Sequence, residues 1–193
     1  MDRIICFDTE TSGLPKNYKA PVTDINNWPR IISVAWVIFD EEGVVLDEHY
    51  TLIKPEGFVI PEEASKIHGI TTEKALAEGN GIVEVITNLV LAIESCNIIT
   101  GHNIRFDQNV IDCEIVRMGA IWSGSPAKIV DTMMVGTDFC KIPNTRGGYK
   151  WPKLGELYAK LFPDKEIVDA HNALGDVRST ADCYLELRKL GLV

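Results

Sequence analysis

The order of apolar and polar positions divides the chain into short segments of two periods. Residues 4–7 are continuously apolar, and 30–40 carry Ile31, Ile32, Val34, Ala35, Trp36, Val37, Ile38 and Phe39 with one serine among them. Such runs, rich in β-branched and aromatic residues, predict buried strands. Asp40-Glu41-Glu42-Gly43 predicts a hairpin turn into a third strand over 44–53. Three successive strands of this kind predict an antiparallel meander. Residues 15–29, with Pro15, Pro21, Asn26, Asn27 and Pro29, predict a surface loop or small insertion in which Trp28 packs locally.

From residue 61 the period lengthens. Pro61-Glu62-Glu63 opens a short helix ending near His68-Gly69, and Thr71 starts a second through about Glu78. Ile82, Val85, Ile86, Leu89, Val90 and Ile93 mark the apolar stripe of a helix over 81–95. A short buried strand follows at 97–100, a helix at 105–118 stopped by Gly119, and a fifth strand at 127–131. Helices are expected at 132–140, 153–162 and 173–190, with 142–152 a loop. The order predicts an α/β sandwich on a mixed sheet of about five strands, as one domain spanning 1–193.

Charge narrows the possible partners. A formal net charge of −9 argues against generic nucleic-acid binding through a basic surface, but leaves room for an enzyme whose positive charge comes from bound metal. The five cysteines are scattered with no CxxC pair, which disfavours zinc and fits free thiols in a reducing cytoplasm. The N-terminus lacks the features of a signal peptide, and the apolar stretch near 82–93 is broken by Glu84, Thr87 and Asn88, so no membrane partner is expected. The chain has no GxxxxGK[ST] phosphate loop, so a phosphoryl-transfer ATPase is unsupported.

The candidate chemistry is acidic. Asp8 and Glu10 stand two apart in the first strand and project from one face, just before a Thr-Ser-Gly turn. They form either an exposed acidic turn or half of a site for a hard divalent cation. Asp107, in Gly101-His102-Asn103-Ile104-Arg105-Phe106-Asp107, lies in the first turn of a helix, where an acid also complements the dipole. Asp131 directly follows a strand and reads as a helix N-cap. His171 precedes the last helix and Asp176 lies early within it.

The set Asp8-Thr9-Glu10, Asp107 within Gly-His-Asn-x-x-Phe-Asp, and His171-x-x-x-x-Asp176, in that order, resembles the three motifs of the DEDDh (DnaQ-like) 3′–5′ exonuclease superfamily. The resemblance runs from residue 4 to about 188. It includes similarity to the proofreading exonuclease subunit of bacterial DNA polymerase III. It implies a ribonuclease H-like fold whose first three strands are antiparallel. It implies two divalent ions, Mg²⁺ or Mn²⁺, held by Asp8, Glu10, Asp107 and Asp176, with His171 as general base, a role suited to an ordinary pKa of about 6.5. Thr9, Thr11, Gly13 and Leu14 follow the family's nucleotide-holding turn. Leu14 and Phe106 would pack on the terminal bases, and His68 in Ile67-His68-Gly69-Ile70 matches a segment near the terminal nucleotide. His102 is taken as a buried, orienting histidine.

The expected function is release of nucleoside 5′-monophosphates from the 3′ end of single-stranded nucleic acid, with DNA favoured. An exoribonuclease or oligoribonuclease, or a non-catalytic binding module on the same fold, are the alternatives. Lys141, Arg146, Lys150 and Lys153 either grip substrate phosphates or form a solvated loop. Residues 15–29 are longer than in the proofreading subunit. No clamp-binding or polymerase-binding tail is recognised before Val193, so a stand-alone enzyme is expected rather than a polymerase partner.

Overall fold

The structure is a computed structural model that describes residues 2–165 and 172–193. Five strands, β1 (Ile4–Thr11), β2 (Ile31–Phe39), β3 (Val45–Leu52), β4 (Ile98–Gly101) and β5 (Lys128–Asp131), form one sheet in the order β3-β2-β1-β4-β5. β1 pairs antiparallel with β2, and β2 with β3; β4 joins β1, and β5 joins β4, in parallel. Helices α1 (Glu62–His68), α2 (Thr72–Glu78) and α3 (Ile82–Glu94) separate β3 from β4. Helix α4 (Ile104–Arg117) joins β4 to β5, and α5 (Thr132–Cys140), α6 (Leu154–Leu161) and α7 (Ala173–Lys189) follow among the described residues. This is the ribonuclease H-like mixed sheet that the sequence implies. Among the described residues no helix is long and apolar enough to cross a membrane.

The pleat sorts each strand between two layers. Ile5 and Phe7 of β1 join Val34, Trp36 and Ile38 of β2 against Val85, Ile86, Leu89 and Ile93 of α3 and Val110 and Ile111 of α4. Ile4 and Cys6 join Ala35, Val37 and Phe39 against Ala173, Val177, Ala181 and Tyr184 of α7. All nine residues of β2 are buried because both of its faces are covered, which is why the run reads as continuously apolar.

This alternation decides where the chemistry goes. Continuing it past Phe7 turns Asp8 and Glu10 toward the α7 layer and Thr9 toward the α4 layer. The parallel pairing Ile5↔Ile99 and Cys6↔Thr100 brings the C-terminal ends of β1 and β4 to the same edge of the sheet. Gly101↔Asp131 adds the end of β5.

The segment 15–29 contains no helix or strand, as expected of a loop, but it is more than surface. Asn27 is buried, and Trp28 joins the α3–α4 core while its Nε1 donates to Pro21 O at 3.2 Å. Local packing is observed, and the core contact extends it.

Candidate active site

Helix α7 starts at the N-cap Asn172, whose side chain accepts from Leu174 N at 3.0 Å. Ala173 and Val177, four apart, face the sheet, which sets Asp176 at the helix edge over the end of β1. One ligand oxygen each from Asp8, Glu10 and Asp176 lies within 4.8 Å of the others, and all three residues are half-buried.

Asp107 approaches from the other layer. It is buried, and its Oδ1 accepts from Thr9 N at 3.0 Å and Thr9 Oγ1 at 2.7 Å. It lies outside the 4.8 Å group but acts on Asp8 and Glu10 through its charge.

The electrostatics from the described residues disfavour the charged forms of Asp8 and Glu10. Burial, and then the charges of Asp107, Glu10 and Asp176, push the Asp8 carboxyl well above the usual range. Burial, then Asp176 and Asp107, push Glu10 up to about 7. Burial raises Asp107 to about 7 although the two Thr9 bonds oppose it. Every charge acting on Asp8 and Glu10 from the described residues is negative. An all-oxygen donor set, with only negative charge acting on Asp8 and Glu10 from the described residues, suits a hard divalent cation.

A cavity of about 450 Å³ opens beside the carboxylates, lined by Thr9, Glu10, Thr11, Gly13, Leu14, Ile67, His68 and Phe106 among others. Six of the sequence-expected substrate residues therefore share one wall system. Within it, Thr11 Oγ1 donates to Gly13 O at 2.7 Å and shapes the turn, while both Thr9 donors are committed to Asp107. Leu14 is 73% exposed, an apolar side chain presented to the cavity. His68 Nδ1 accepts from Ile70 N at 3.1 Å, and burial lowers the imidazole's pKa. The neutral ring therefore carries its proton on Nε2, which has no hydrogen-bond partner among the described residues.

Two neighbours orient the site. His102 Nε2 bonds Pro152 O at 2.9 Å and Nδ1 bonds Thr132 Oγ1 at 3.0 Å. A carbonyl only accepts, so Nε2 holds the proton, and the half-buried ring is hydrogen-bonded at both nitrogens, as expected of a hydrogen-bonding histidine. Asp131 Oδ1 caps α5 through Met133 N at 2.9 Å and also accepts from Asn103 N at 3.0 Å, where Asn103 turns with φ 65°. Its N-cap role was legible; its grip on the start of α4 was not. His171 lies outside the described residues.

A ribonuclease H-like sheet with a carboxylate cluster at the end of its middle strand fits a nuclease. A family model for exonucleases of the RNase T type matches residues 5–184, and the chain belongs to that family of DnaQ-like 3′–5′ exonucleases. It is 30% identical over 97% of its length to the PolC-type DNA polymerase III of Thermotoga petrophila, and equally so to that of Thermotoga maritima. The chain spans 12% of the length of these relatives. Among solved structures, Escherichia coli exonuclease I bound to a dA16 oligonucleotide is similar with a TM-score of 0.76 and 20% identity, over 98% of this chain and 41% of that one. Exonuclease I from Methylocaldum szegediense gives 0.70 and 23%, over 98% and 41%. At these identities the likeness bears on the fold.

Proposed function

We propose that the chain removes nucleoside 5′-monophosphates one at a time from the 3′ end of single-stranded DNA, using two divalent ions, Mg²⁺ or Mn²⁺. The observation that carries this reading is the carboxylate cluster of Asp8, Glu10 and Asp176, with Asp107 beside it and, from the described residues, only negative charge acting on Asp8 and Glu10. Asp8, Glu10, Asp107 and Asp176 would hold the ions. Bound there, such ions supply an acidified water and offset charge on the scissile phosphate and leaving oxygen.

The chain's own residues do the rest. Leu14 and Phe106 pack on the terminal nucleotide in the cavity, and the free Nε2–H of His68 donates to one of its oxygens. Thr9 holds Asp107 in place. His171 takes the proton of the attacking water as its oxygen bonds to phosphorus and the phosphorus–O3′ bond breaks, and the departing O3′ takes up a proton from solvent water to become a hydroxyl. The oligonucleotide in the exonuclease I complexes supports single-stranded DNA as substrate. The PolC-type relatives favour a second context, an exonuclease acting for a replicative polymerase. A cytoplasmic setting fits either.

The test is degradation of 5′-labelled single strands of DNA and RNA with Mg²⁺, Mn²⁺ or EDTA, beside Asp8→Asn. A ladder of shortening products, lost with EDTA and in the variant, supports the reading, and the faster strand assigns the substrate. Intact strands under both metals would sink it.

A further inference from the structure

The thirteen residues from Lys141 to Lys153 carry Lys141, Arg146, Lys150 and Lys153 and no acid, in a chain whose net charge is −9. They form an ordered hairpin rather than an open loop. Lys150 N donates to Ile142 O at 2.9 Å, Asn144 N to Gly148 O at 3.0 Å and Gly147 N to Asn144 O at 3.0 Å. Two aromatic rings stand out from it: Trp151 is 63% exposed and Tyr149 45%. Lys150 is committed to Glu156 at 2.6 Å, whereas Lys141, Arg146 and Lys153 are exposed.

The hairpin's place is fixed by His102, which leaves the sheet at the same edge as Asp8 and bonds Pro152 O. The nucleotide cavity lies on the β2 side of β1, at α1 and the Thr11–Leu14 turn. The hairpin is anchored on the opposite, β4 side. A strand whose terminal nucleotide fills the cavity and whose last phosphodiester lies at the carboxylates must continue away from the cavity.

We propose that this hairpin is a second nucleic-acid contact, which grips the substrate strand on the 5′ side of the bond being cut. Tyr149 and Trp151 are its stacking surfaces for bases, and Lys141, Arg146 and Lys153 its phosphate partners. Stacking on exposed rings beside cations tolerates any sequence, as an exonuclease moving along a strand requires. Holding the rings on a closed hairpin reduces the ordering cost of binding. The inference rests on the exonuclease reading for the direction of the strand, but not for the contact itself.

The experiment is fluorescence anisotropy of labelled single-stranded DNA with the full chain in EDTA, where nothing is cut. Strands of about four and about twelve nucleotides are compared, a short and a longer length within the range of typical single-strand sites. The Tyr149→Ala/Trp151→Ala variant is expected to erase at least about tenfold of the longer strand's advantage in Kd, and Trp151→Phe with Tyr149 intact to retain most of it. Arg146→Ala is expected to flatten the slope of log Kd against log salt by about 0.7, while Arg146→Lys leaves it. Unchanged melting temperatures exclude misfolding of these exposed positions. Equal length advantage and equal salt slope in wild type and variants would overturn the hairpin contact. A wild type that binds the long strand through this hairpin yet degrades nothing with Mg²⁺ or Mn²⁺ would overturn the exonuclease reading instead.

Discussion

Thr9 gives both of its donors to one oxygen of Asp107, the backbone N–H at 3.0 Å and the hydroxyl at 2.7 Å. The two residues are 98 apart in sequence, and the sheet's alternation makes the contact possible, because Thr9 faces α4 while its neighbours Asp8 and Glu10 face α7. The bonds hold the carboxyl's pKa down against burial, which still lifts it to about 7. Thr9→Val keeps the backbone bond and removes the hydroxyl. Asp107 is then more often protonated at neutral pH and less firmly aimed. The expected loss is about 10–100-fold in Mg²⁺ affinity or in turnover, partly recovered at higher pH, with Thr9→Ser near wild type. A Mg²⁺ titration of the hydrolysis rate reads this directly. A Thr9→Val enzyme with wild-type metal dependence would show that the hydroxyl contributes nothing.

Without metal, the carboxylates should make the protein less stable as pH rises. Glu10 and Asp107 each have a pKa of about 7 in the folded chain, against ordinary values of 4.5 and 3.8. The folded state thus holds protons that the unfolded chain has already released. Their stabilising contribution is full below about pH 4 and is lost as pH rises through about 7. The melting temperature in EDTA is expected to be lower at pH 8 than at pH 5. Saturating Mg²⁺ should raise it by about 5–10 °C at pH 8 and by much less at pH 5. An Mg²⁺ effect that is absent, or larger at pH 5, would contradict the arrangement.

Asp8→Asn separates stability from chemistry. It removes the charge that Glu10, Asp107 and Asp176 all oppose. The metal-free variant is expected to melt higher than wild type at pH 8, to gain little from Mg²⁺, and to lose turnover by at least about 100-fold. Calorimetry with a parallel digestion assay covers both arms. A variant that melts lower in EDTA and still cuts DNA would mean that Asp8 is structural.

The strands and helices were legible because their apolar periods are long and unbroken, as at Ile31–Phe39. Spacing places the carboxylates, since Asp8 and Glu10 must share a face and Asp176 must lie one turn into α7, but only the resemblance to the exonuclease motifs joined them into one site. What the sequence hid depends on contacts between distant segments. Thr9 lines the cavity, as expected of a substrate residue, but its bond to Asp107 could not be read from the sequence. Trp28, taken as a local contact in a surface loop, also reaches the core. Asp131 was readable as a cap for α5, but its bond to Asn103 N crosses 28 residues. Glu114 carries no signal in the sequence that sets it apart from other helical acids.

That glutamate has the largest predicted effect on folding. Glu114 is 1% exposed and accepts from Arg30 Nε at 2.8 Å, Arg117 Nη1 at 2.9 Å and Ile31 N at 3.3 Å. Arg117 in turn donates to the carbonyls of Ile25, Trp28 and Pro29, so the pair ties the 15–29 segment to α4. Removing one member of a buried ion network leaves the others desolvated without a counter-charge, which costs about 3–5 kcal/mol. Glu114→Ala is expected to lower the unfolding free energy by that amount in urea titration, and Glu114→Gln, which keeps an acceptor of the same shape, by less. The damage should also reach the substrate, because Arg30 exchanges two hydrogen bonds with Ser12, 2.8 Å from Ser12 N to Arg30 O and 2.9 Å from Arg30 N to Ser12 Oγ. Ser12 belongs to the turn that presents Leu14 to the cavity. For enzyme that remains folded, the network's loss should therefore raise KM for single-stranded DNA more than it lowers kcat, since the carboxylates are held from β1, α4 and α7 by other contacts. A fall in kcat at constant KM would place the coupling at the carboxylates instead of the turn.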